Sequence, residues 1–400
     1  MIQFSESAKN MRSSEIRRLM SLAADPTIIS FAGGMPNNSL FPISSIDEIY
    51  NGMPLAEKQV ACQYGPTQGY PALLASLKSY LSSRGLPIDD SQGLIITTGA
   101  QQAISLLSKI IIDPQDRIVT EYPSFIGAIA AFKSYGAILK GVEMDEEGIS
   151  AEGLKRALED KFLKPKMVYL NPVFQNPAGT MYSEKRKNQV LDLMLAHPEI
   201  CLLEDDPYSE LFFDETDKDR MLPLKAIAPK DAMICYVGTF AKIFGPGMRL
   251  GWLLGPKEIV DKCELAKQSM DACSSTFTQV LADEYLRQGK LAPYLAMLRP
   301  TYKRRAAIML SALESMMPPG VSWTRPRGGF YVWVTLPESL DSSDVFAAAI
   351  KQGAAFVIGN AFDPEEKRNN CFRLAFSHTS EDKIEQGVRI IAQAVKQLLF

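Results

Sequence analysis

The segment MVYLNPVFQNPAGTMYSEKRKNQVLDLMLAHPEICLLEDDPY, residues 167–208, decides the architecture. It opens on a short apolar run (167–170), passes through a stretch dense in turn formers, continues with helical character (183–196) and closes on a second apolar run (200–204). Two apolar runs of strand length joined by a helix form a βαβ unit, whose strands are parallel and buried on both faces. The same alternation extends outward. Further strands are predicted at 93–97, 117–121, 137–142, 233–238 and 250–255, with helices at 101–110, 125–135 and 151–160. These elements predict an α/β fold whose large domain, residues 46–292, has a mainly parallel seven-stranded sheet between helices. Ligands of such sheets sit beyond the carboxyl ends of the strands, so residues just after each strand carry the most functional weight.

The texture changes near Pro293. A long helical stretch (294–315), the breaker MMPPG (316–320), the strand-like GGFYVWVTL (328–336) and a helix (343–352) follow one another. A short strand (355–358), the strand CFRLAF (371–376) and a terminal helix (381–398) complete a smaller α+β domain over 293–400. Residues 1–45, which include the loop-like FAGGMPN (31–37), are expected to form an arm and part of that small domain.

Bulk properties narrow the function classes. With 400 residues, 46% hydrophobic and 22% charged, the chain is globular and long enough for two or three domains. A net charge of -3 gives no electrostatic reason to expect a polyanionic partner, so no nucleic-acid function is read. The N-terminal stretch MIQFSESAKNMRSSEIRRLM lacks an apolar core, and no window approaches the ~20 apolar residues that cross a bilayer, which predicts a soluble, cytoplasmic protein with no membrane partner. Cys62, Cys201, Cys235, Cys263, Cys273 and Cys371 are scattered without metal-ligand spacing and are expected to be reduced, mostly buried thiols; no metal site is predicted. Only His197 and His378 are present, both expected at the surface, so a histidine triad has no material.

The chemistry therefore comes from the strand ends. In VGTFAKIFGPGMRLGW (237–252), Lys242 follows an apolar strand among small residues, with Arg249 seven positions on. Partial burial and a nearby cation turn a lysine into a nucleophile, and a fixed cation suits a phosphate. The loop after 167–170 carries Asn176, whose amide offers donor and acceptor without competing for a proton. Asp205 and Tyr208 emerge from ICLLEDDPYSEL (200–211): a buried carboxylate keeps a ring nitrogen protonated, although aspartate also caps turns, and the tyrosine either donates or packs. LIITTGAQQAISLL (94–107) is strand, glycine turn and helix, which aims free N–H groups at an anion. Near it EYPSF (121–125) supplies Phe125, able to stack on a planar ring. Each feature alone is common in α/β proteins. Together, in one order and each at a strand's carboxyl end, they select a phosphate-bearing cofactor with a planar ring.

With these motifs in place the chain resembles the class I/II aminotransferases of pyridoxal-phosphate (PLP) fold type I, and more closely the kynurenine/2-aminoadipate aminotransferase group. The resemblance runs from FAGGMPN through CQYGPTQGYPALLASL (62–77), ITTGAQQA (96–103), QNPAG (175–179), LEDDPYSEL (203–211) and TFAKIFGPGMRLGW (239–252) to FRLAF (372–376). It implies pyridoxal 5'-phosphate as cofactor, Lys242 as the Schiff-base lysine and proton shuttle, Asp205 on the pyridine nitrogen, and Asn176 and Tyr208 on the phenolic oxygen. Ala100, Gln101, Thr239 and Arg249 would surround the phosphate, and Phe125 would stack on the ring. Gly34 and Asn176 would lie against the substrate, with Arg373 bidentate on its α-carboxylate. Arg17 falls near the substrate side chain, where it would recognise a second carboxylate, and Tyr64 would reach the phosphate of the neighbouring subunit in a homodimer with shared sites.

The chain departs from the family pattern at Ala100 and Ala241, where relatives often have serine, and at Phe125, where close relatives often have tyrosine, so the phosphate cup has fewer hydroxyl donors. The implied reaction moves an amino group from an L-amino acid (aromatic, 2-aminoadipate or glutamate-like) to a 2-oxo acid. A PLP-dependent carbon–sulfur β-lyase, using the same carbanion, is the alternative. A ligand-sensing aminotransferase-like domain of a transcription regulator is disfavoured, because the motif-bearing region starts by residue 30 and leaves no room for a helix-turn-helix module.

Overall fold

The computed structural model of the protein describes residues 2–4, 8, 25 and 27–399. Its strands, in chain order, begin with β1 (Ile29–Ser30). The large sheet follows: β2 (Gln92–Thr97), β3 (Arg117–Tyr122), β4 (Ile138–Asp145), β5 (Gly148–Ile149), β6 (Met167–Leu170), β7 (Cys201–Asp206), β8 (Ile234–Thr239) and β9 (Gly251–Pro256). Then come β10 (Ser322–Trp323), β11 (Tyr331–Thr335), β12 (Ala354–Ala355), β13 (Val357–Ile358) and β14 (Cys371–Ala375).

The large sheet has the order β2-β9-β8-β7-β6-β3-β4-β5. Its central strands β8, β7, β6, β3 and β4 are mutually parallel, and β9 runs antiparallel to both β2 and β8. All seven predicted strands are present, their ends shifted by at most three residues, and the two-residue β5 adds an antiparallel edge beyond β4. Strands β6, β7 and β8 are buried along their whole length. Helices on both faces explain this. Leu203 and Val237 pack with Ala103, Ile104 and Leu107 of the helix Ala100–Ile111, whereas their neighbours Leu202 and Ile234 pack with Val190, Leu191 and Met194 of the helix Glu184–Leu195. The second helix starts where it does because the Ser183 hydroxyl accepts from the Arg186 N–H.

The two-residue period of a strand also separates adjacent acids at the end of β7. Asp205 meets Tyr169 from β6, while Asp206 is bonded by Arg84 and Tyr236.

The remaining strands form an antiparallel sheet of order β10-β11-β14-β13, accompanied by the helices Leu291–Met316, Ser342–Lys351 and Glu381–Leu399. The apolar run predicted as one strand at 355–358 is split: β12 pairs in parallel with β1, and β13 pairs with β14. The chain changes partner at Phe356, and a short apolar run carries no record of which neighbour each half will choose. Phe31 bonds both sides, its N–H to Ala355 and its carbonyl to Ala375, so the segment 29–35 is stitched beside the strand that carries Arg373. Four of the six cysteines are buried, Cys273 is half-buried and Cys62 exposed, all as free thiols; His197 is half-buried and His378 exposed. Among the described residues no helix is long and apolar enough to cross a membrane.

One close approach ties the fold to its functional edge. A Cβ on Gly251 of β9 would stand 2.7 Å from the Gly99 carbonyl carbon and 2.8 Å from the Ala100 nitrogen and Gly238 oxygen, all main-chain atoms with no flexible end to yield. Gly251→Ala is expected to destabilise the protein by about 1–3 kcal/mol through overpacking. A urea melt reads this as a lower midpoint at unchanged slope, and an unchanged midpoint would show that the glycine turn moves freely.

Candidate active site

The carboxyl ends of β2, β3, β6, β7 and β8 lie along one edge of the sheet, and most of the sequence-predicted residues, Tyr64 and Arg17 excepted, lie near it. After β2, Gly99 adopts φ 85, in the left-handed region open to glycine, and precedes the helix Ala100–Ile111 with no side chain capping its first turn. The uncapped N–H groups and the helix dipole favour an anion at this point. Arg249 leans over the same turn, its Nη2 3.2 Å from where a Gly99 Cβ would be. Arg249 itself has φ 52 and ψ 46, an uncommon conformation for a non-glycine residue, and its guanidinium donates to the Thr98 and Pro246 carbonyls at 3.3 Å.

Gln101 and Phe125 come together around Gly127, whose Cβ would be 2.5 Å from each, and Gln101 donates to the Gly127 carbonyl at 2.8 Å. Thr239 donates its hydroxyl to the Leu250 carbonyl and accepts from the Ala241 N–H, each at 3.1 Å.

Lys242 ends the short turn Phe240–Lys242 that follows β8. Its Nζ donates to the Gly34 carbonyl at 3.3 Å and stands 5.8 Å from the ring centres of Tyr208 and Phe330. Burial first, then the positive charges of Arg373 and Arg249, bring its pKa down to about 8, with Asp205 pulling the other way.

Asp205 is buried. Its Oδ2 accepts from the Tyr169 hydroxyl at 2.8 Å, and its Oδ1 has no partner. Burial, aided by the neighbouring Asp206 charge, pushes its pKa up to about 7 against the opposing pull of Tyr169 and Lys242.

Arg373, on β14 and only 2% exposed, donates to Asn176 Oδ1 at 2.9 Å and to the Ala32 carbonyl at 2.6 Å, while its Nε is unpartnered. The guanidinium lies over the Tyr331 and Phe362 rings at 4.5 and 4.9 Å. Among the described residues it has no carboxylate partner. Tyr208 shares a hydroxyl–hydroxyl bond of 2.9 Å with Tyr331, whose oxygen fills the space a Gly34 Cβ would need. Tyr64 stands apart from these contacts, 87% exposed, and Arg17 lies outside the described residues.

Several residues escaped the sequence reading. Tyr169 looks like strand filling, yet it pairs opposite Leu203, two residues from Asp205, so the β6–β7 register places its hydroxyl on the acid. Tyr331 and Phe362 are equally hidden in apolar stretches. Asn171, in the same loop as Asn176, accepts from the Asn176 N–H at 2.8 Å and donates to the Asp205 carbonyl at 2.6 Å.

The edge thus presents an anion cradle, a carboxylate oxygen awaiting a donor, an amine that ionises near neutrality and a guanidinium awaiting an anion. Residues 37–391 match the family model described as aminotransferase class I and II. The chain belongs to that family. The aminotransferase is 38% identical to aromatic-amino-acid aminotransferase 1 of Thermococcus litoralis, over 98% of this chain and 94% of the relative. It is 33% identical to the 2-aminoadipate transaminase of Thermus thermophilus, over 99% of this chain and 97% of the relative. The crystal structure of Pyrococcus horikoshii kynurenine aminotransferase in complex with PMP matches with a TM-score of 0.94 at 38% identity, covering 99% and 98% of the two chains. The aminotransferase is accordingly a PLP-dependent enzyme of fold type I that transfers amino groups. The unpartnered Asp205 Oδ1, the uncapped helix start under Arg249 and the depressed Lys242 fit that cofactor.

Removing a cation beside Lys242 should raise its pKa and removing the anion should lower it, so Arg373→Met and Asp205→Asn are expected to move it in opposite directions from about 8. The pH dependence of Lys242 acylation in cofactor-free protein, read by mass spectrometry, checks this; shifts of the same sign would refute the charge account. In the cofactor-free protein the raised Asp205 pKa favours the folded state at low pH, and that stability is lost as pH rises through about 7. Asp205→Asn should therefore raise the melting temperature at pH 8 and flatten its decline between pH 5 and 8. Glu121 and Glu204, also pushed up to about 7 by burial, keep part of the slope.

Proposed function

We propose that this aminotransferase moves the amino group of an aromatic, 2-aminoadipate or glutamate-like L-amino acid to a 2-oxo acid, working as a homodimer. The observation that carries the reading is Arg373, a buried guanidinium with neutral partners only, among the described residues. Such a group needs an anion, and its planar fork matches a carboxylate. The rings of Tyr208, Phe330, Tyr331 and Phe362 near Lys242 and Arg373 support an aromatic donor, in line with the names of the relatives. Arg17 is the residue proposed to meet a second carboxylate.

When bound, PLP supplies an electron-withdrawing ring that acidifies the substrate's α-carbon. Asp205 Oδ1 would hold the ring nitrogen protonated, its carboxylate stabilised by the cation it faces. Asn176 and Tyr208 would donate to the phenolic oxygen, and Phe125 would stack on the ring. Ala100, Gln101, Thr239 and Arg249 would surround the phosphate at the helix start. Gly34, with no side chain, leaves room for the substrate beside Tyr331. Lys242 is the group proposed to hold the cofactor covalently, and its ε-amine, lowered to about 8 by burial and by the charges of Arg373 and Arg249, would accept the substrate's α-proton at Nζ and return it.

Tyr64 is exposed, as are Tyr50, Leu55, Val60 and Phe277, of which Tyr50 and Phe277 have their ring centres 5.9 Å apart; exposed apolar side chains of this kind suit burial against a second subunit. The β1–β12 pairing supports dividing the chain into a cofactor-holding unit (46–292) and a smaller unit of 1–45 with 293–400. Free thiols, four of them buried, suit a reducing cytoplasm.

Arg373→Ala is expected to lower kcat/KM by roughly 2–5 kcal/mol for every amino donor and oxo acid alike, with the fold intact. Arg373→Lys should recover little, since an ammonium lacks the fork. Product analysis across an amino-acid panel tests the reaction: a new amino acid and a keto acid support transfer, whereas pyruvate and ammonia released without an oxo acid would overturn it.

A further inference from the structure

Glu121, the penultimate residue of β3, is fully buried, and no step proposed above uses it. Its Oε1 accepts from the Tyr182 hydroxyl at 2.5 Å, and its Oε2 accepts from Gln175 Nε2 at 3.0 Å and from the Asn171 N–H at 3.1 Å. All three donors belong to residues 171–182, the loop that carries Asn176. One carboxylate thus fixes the beginning, middle and end of that loop. Gln175 is held further by donating to the Pro123 carbonyl at 2.7 Å and accepting from the Ala178 N–H at 2.6 Å. From Asn171 the chain of bonds divides: its side chain takes the Asn176 N–H and grips the Asp205 carbonyl, and Asn176 in turn receives Arg373. Burial pushes the Glu121 pKa up to about 7 while the three donors pull it down, so the loop's polar atoms offset part of the cost of a carboxylate in the core.

We infer that Glu121 is a positioning residue for substrate binding: it sets the loop 171–182 so that Asn176 aims the Arg373 guanidinium at the substrate carboxylate. The inference rests on the proposed role of Arg373. Three donors converge on Glu121 and a carboxylate accepts from all of them, whereas glutamine of the same shape keeps one acceptor oxygen for the Gln175 and Asn171 donors and forces the Tyr182 hydroxyl to turn from donor to acceptor. The defect of Glu121→Gln is then one of hydrogen-bond polarity at constant volume. A misaimed clamp weakens carboxylate capture at both half-reactions, with less effect on the proton transfer performed by Lys242.

The test uses the cofactor-loaded enzyme and 3-phenylpropionate, a carboxylic acid with no amino group to react, as the calorimetric probe. Glu121→Gln is expected to weaken probe binding and to raise KM for amino donor and oxo acid by roughly tenfold, with kcat changed far less. Tyr182→Phe, which removes a single donor, should shift the same quantities in the same direction by a smaller factor; it also keeps the inference testable if Glu121→Gln does not fold. Lower thermal stability with unchanged probe affinity and KM in the folded variants would overturn the inference, as would a fall in kcat alone. Arg373→Ala separates the two readings: retained probe binding there refutes the carboxylate role of Arg373, whereas binding lost in Arg373→Ala but retained in Glu121→Gln refutes only the part given to Glu121.

Discussion

Burying charge is costly, and the buried Asp205 and Arg373 meet the half-buried Lys242 near one edge of the sheet. The protein answers each with fewer partners than it needs. Arg373 receives a carbonyl, an amide oxygen and two ring faces, but no anion among the described residues. Asp205 receives one hydroxyl for two oxygens, and Lys242 one long bond to a carbonyl. The displaced pKa values are the signature of these deficits: Asp205 moves up and Lys242 down, each toward its neutral form. The deficits are complementary in sign to one composite ligand, a carboxylate at one end and a cationic ring with a phosphate at the other. The same imbalance that costs folding stability is thereby available as binding energy.

The sheet makes this concentration possible. Parallel strands all end on one edge, so residues from 99 to 242 meet although far apart in sequence, and strand alternation decides which neighbour takes part. Asp205 and Asp206 show the effect. They are consecutive and both buried, yet Asp206 is bonded by Arg84, Tyr236 and the Ser209 N–H, while Asp205 keeps an oxygen free. One residue of register separates an unpartnered carboxylate oxygen from a structural ion pair.

That geometry also explains what could be read from the sequence. The strands are continuous apolar runs, and the polar residues at or beyond their ends, Asp205, Asn176, Lys242 and Arg249, stand out. Their supporting partners do not stand out. Tyr169 is hidden in an apolar strand and Tyr331 in another, and Tyr331 meets Tyr208 across 123 residues of chain. Glu121 and Glu204 have the same sequence context, an acid near the end of an apolar run. Glu204 accepts the N–H groups of Leu224 and Lys225 at the start of a short helix, whereas Glu121 holds the Asn176 loop. The difference lies in strand order, β6 and β7 beside their particular neighbours, and local pattern does not encode it.

The alanines at 100 and 241 bear on how the proposed phosphate site holds its anion. The hydroxyls that remain nearby are committed to the protein: Thr98 donates to Asp271, and Thr239 to the Leu250 carbonyl. Besides Gln101, what the proposed site offers an anion is the Arg249 charge and the main-chain N–H groups of the helix start. The N–H groups cannot adjust by rotating a side chain as a serine would, since the helix start is packed against Gly251, and Arg249 is oriented by its bonds to the Thr98 and Pro246 carbonyls. The grip then depends on backbone placement more than on the number of hydroxyls. A cradle of this kind is preorganised, and the close contact between β9 and the Gly99 turn ties the proposed phosphate site to the packing of the sheet.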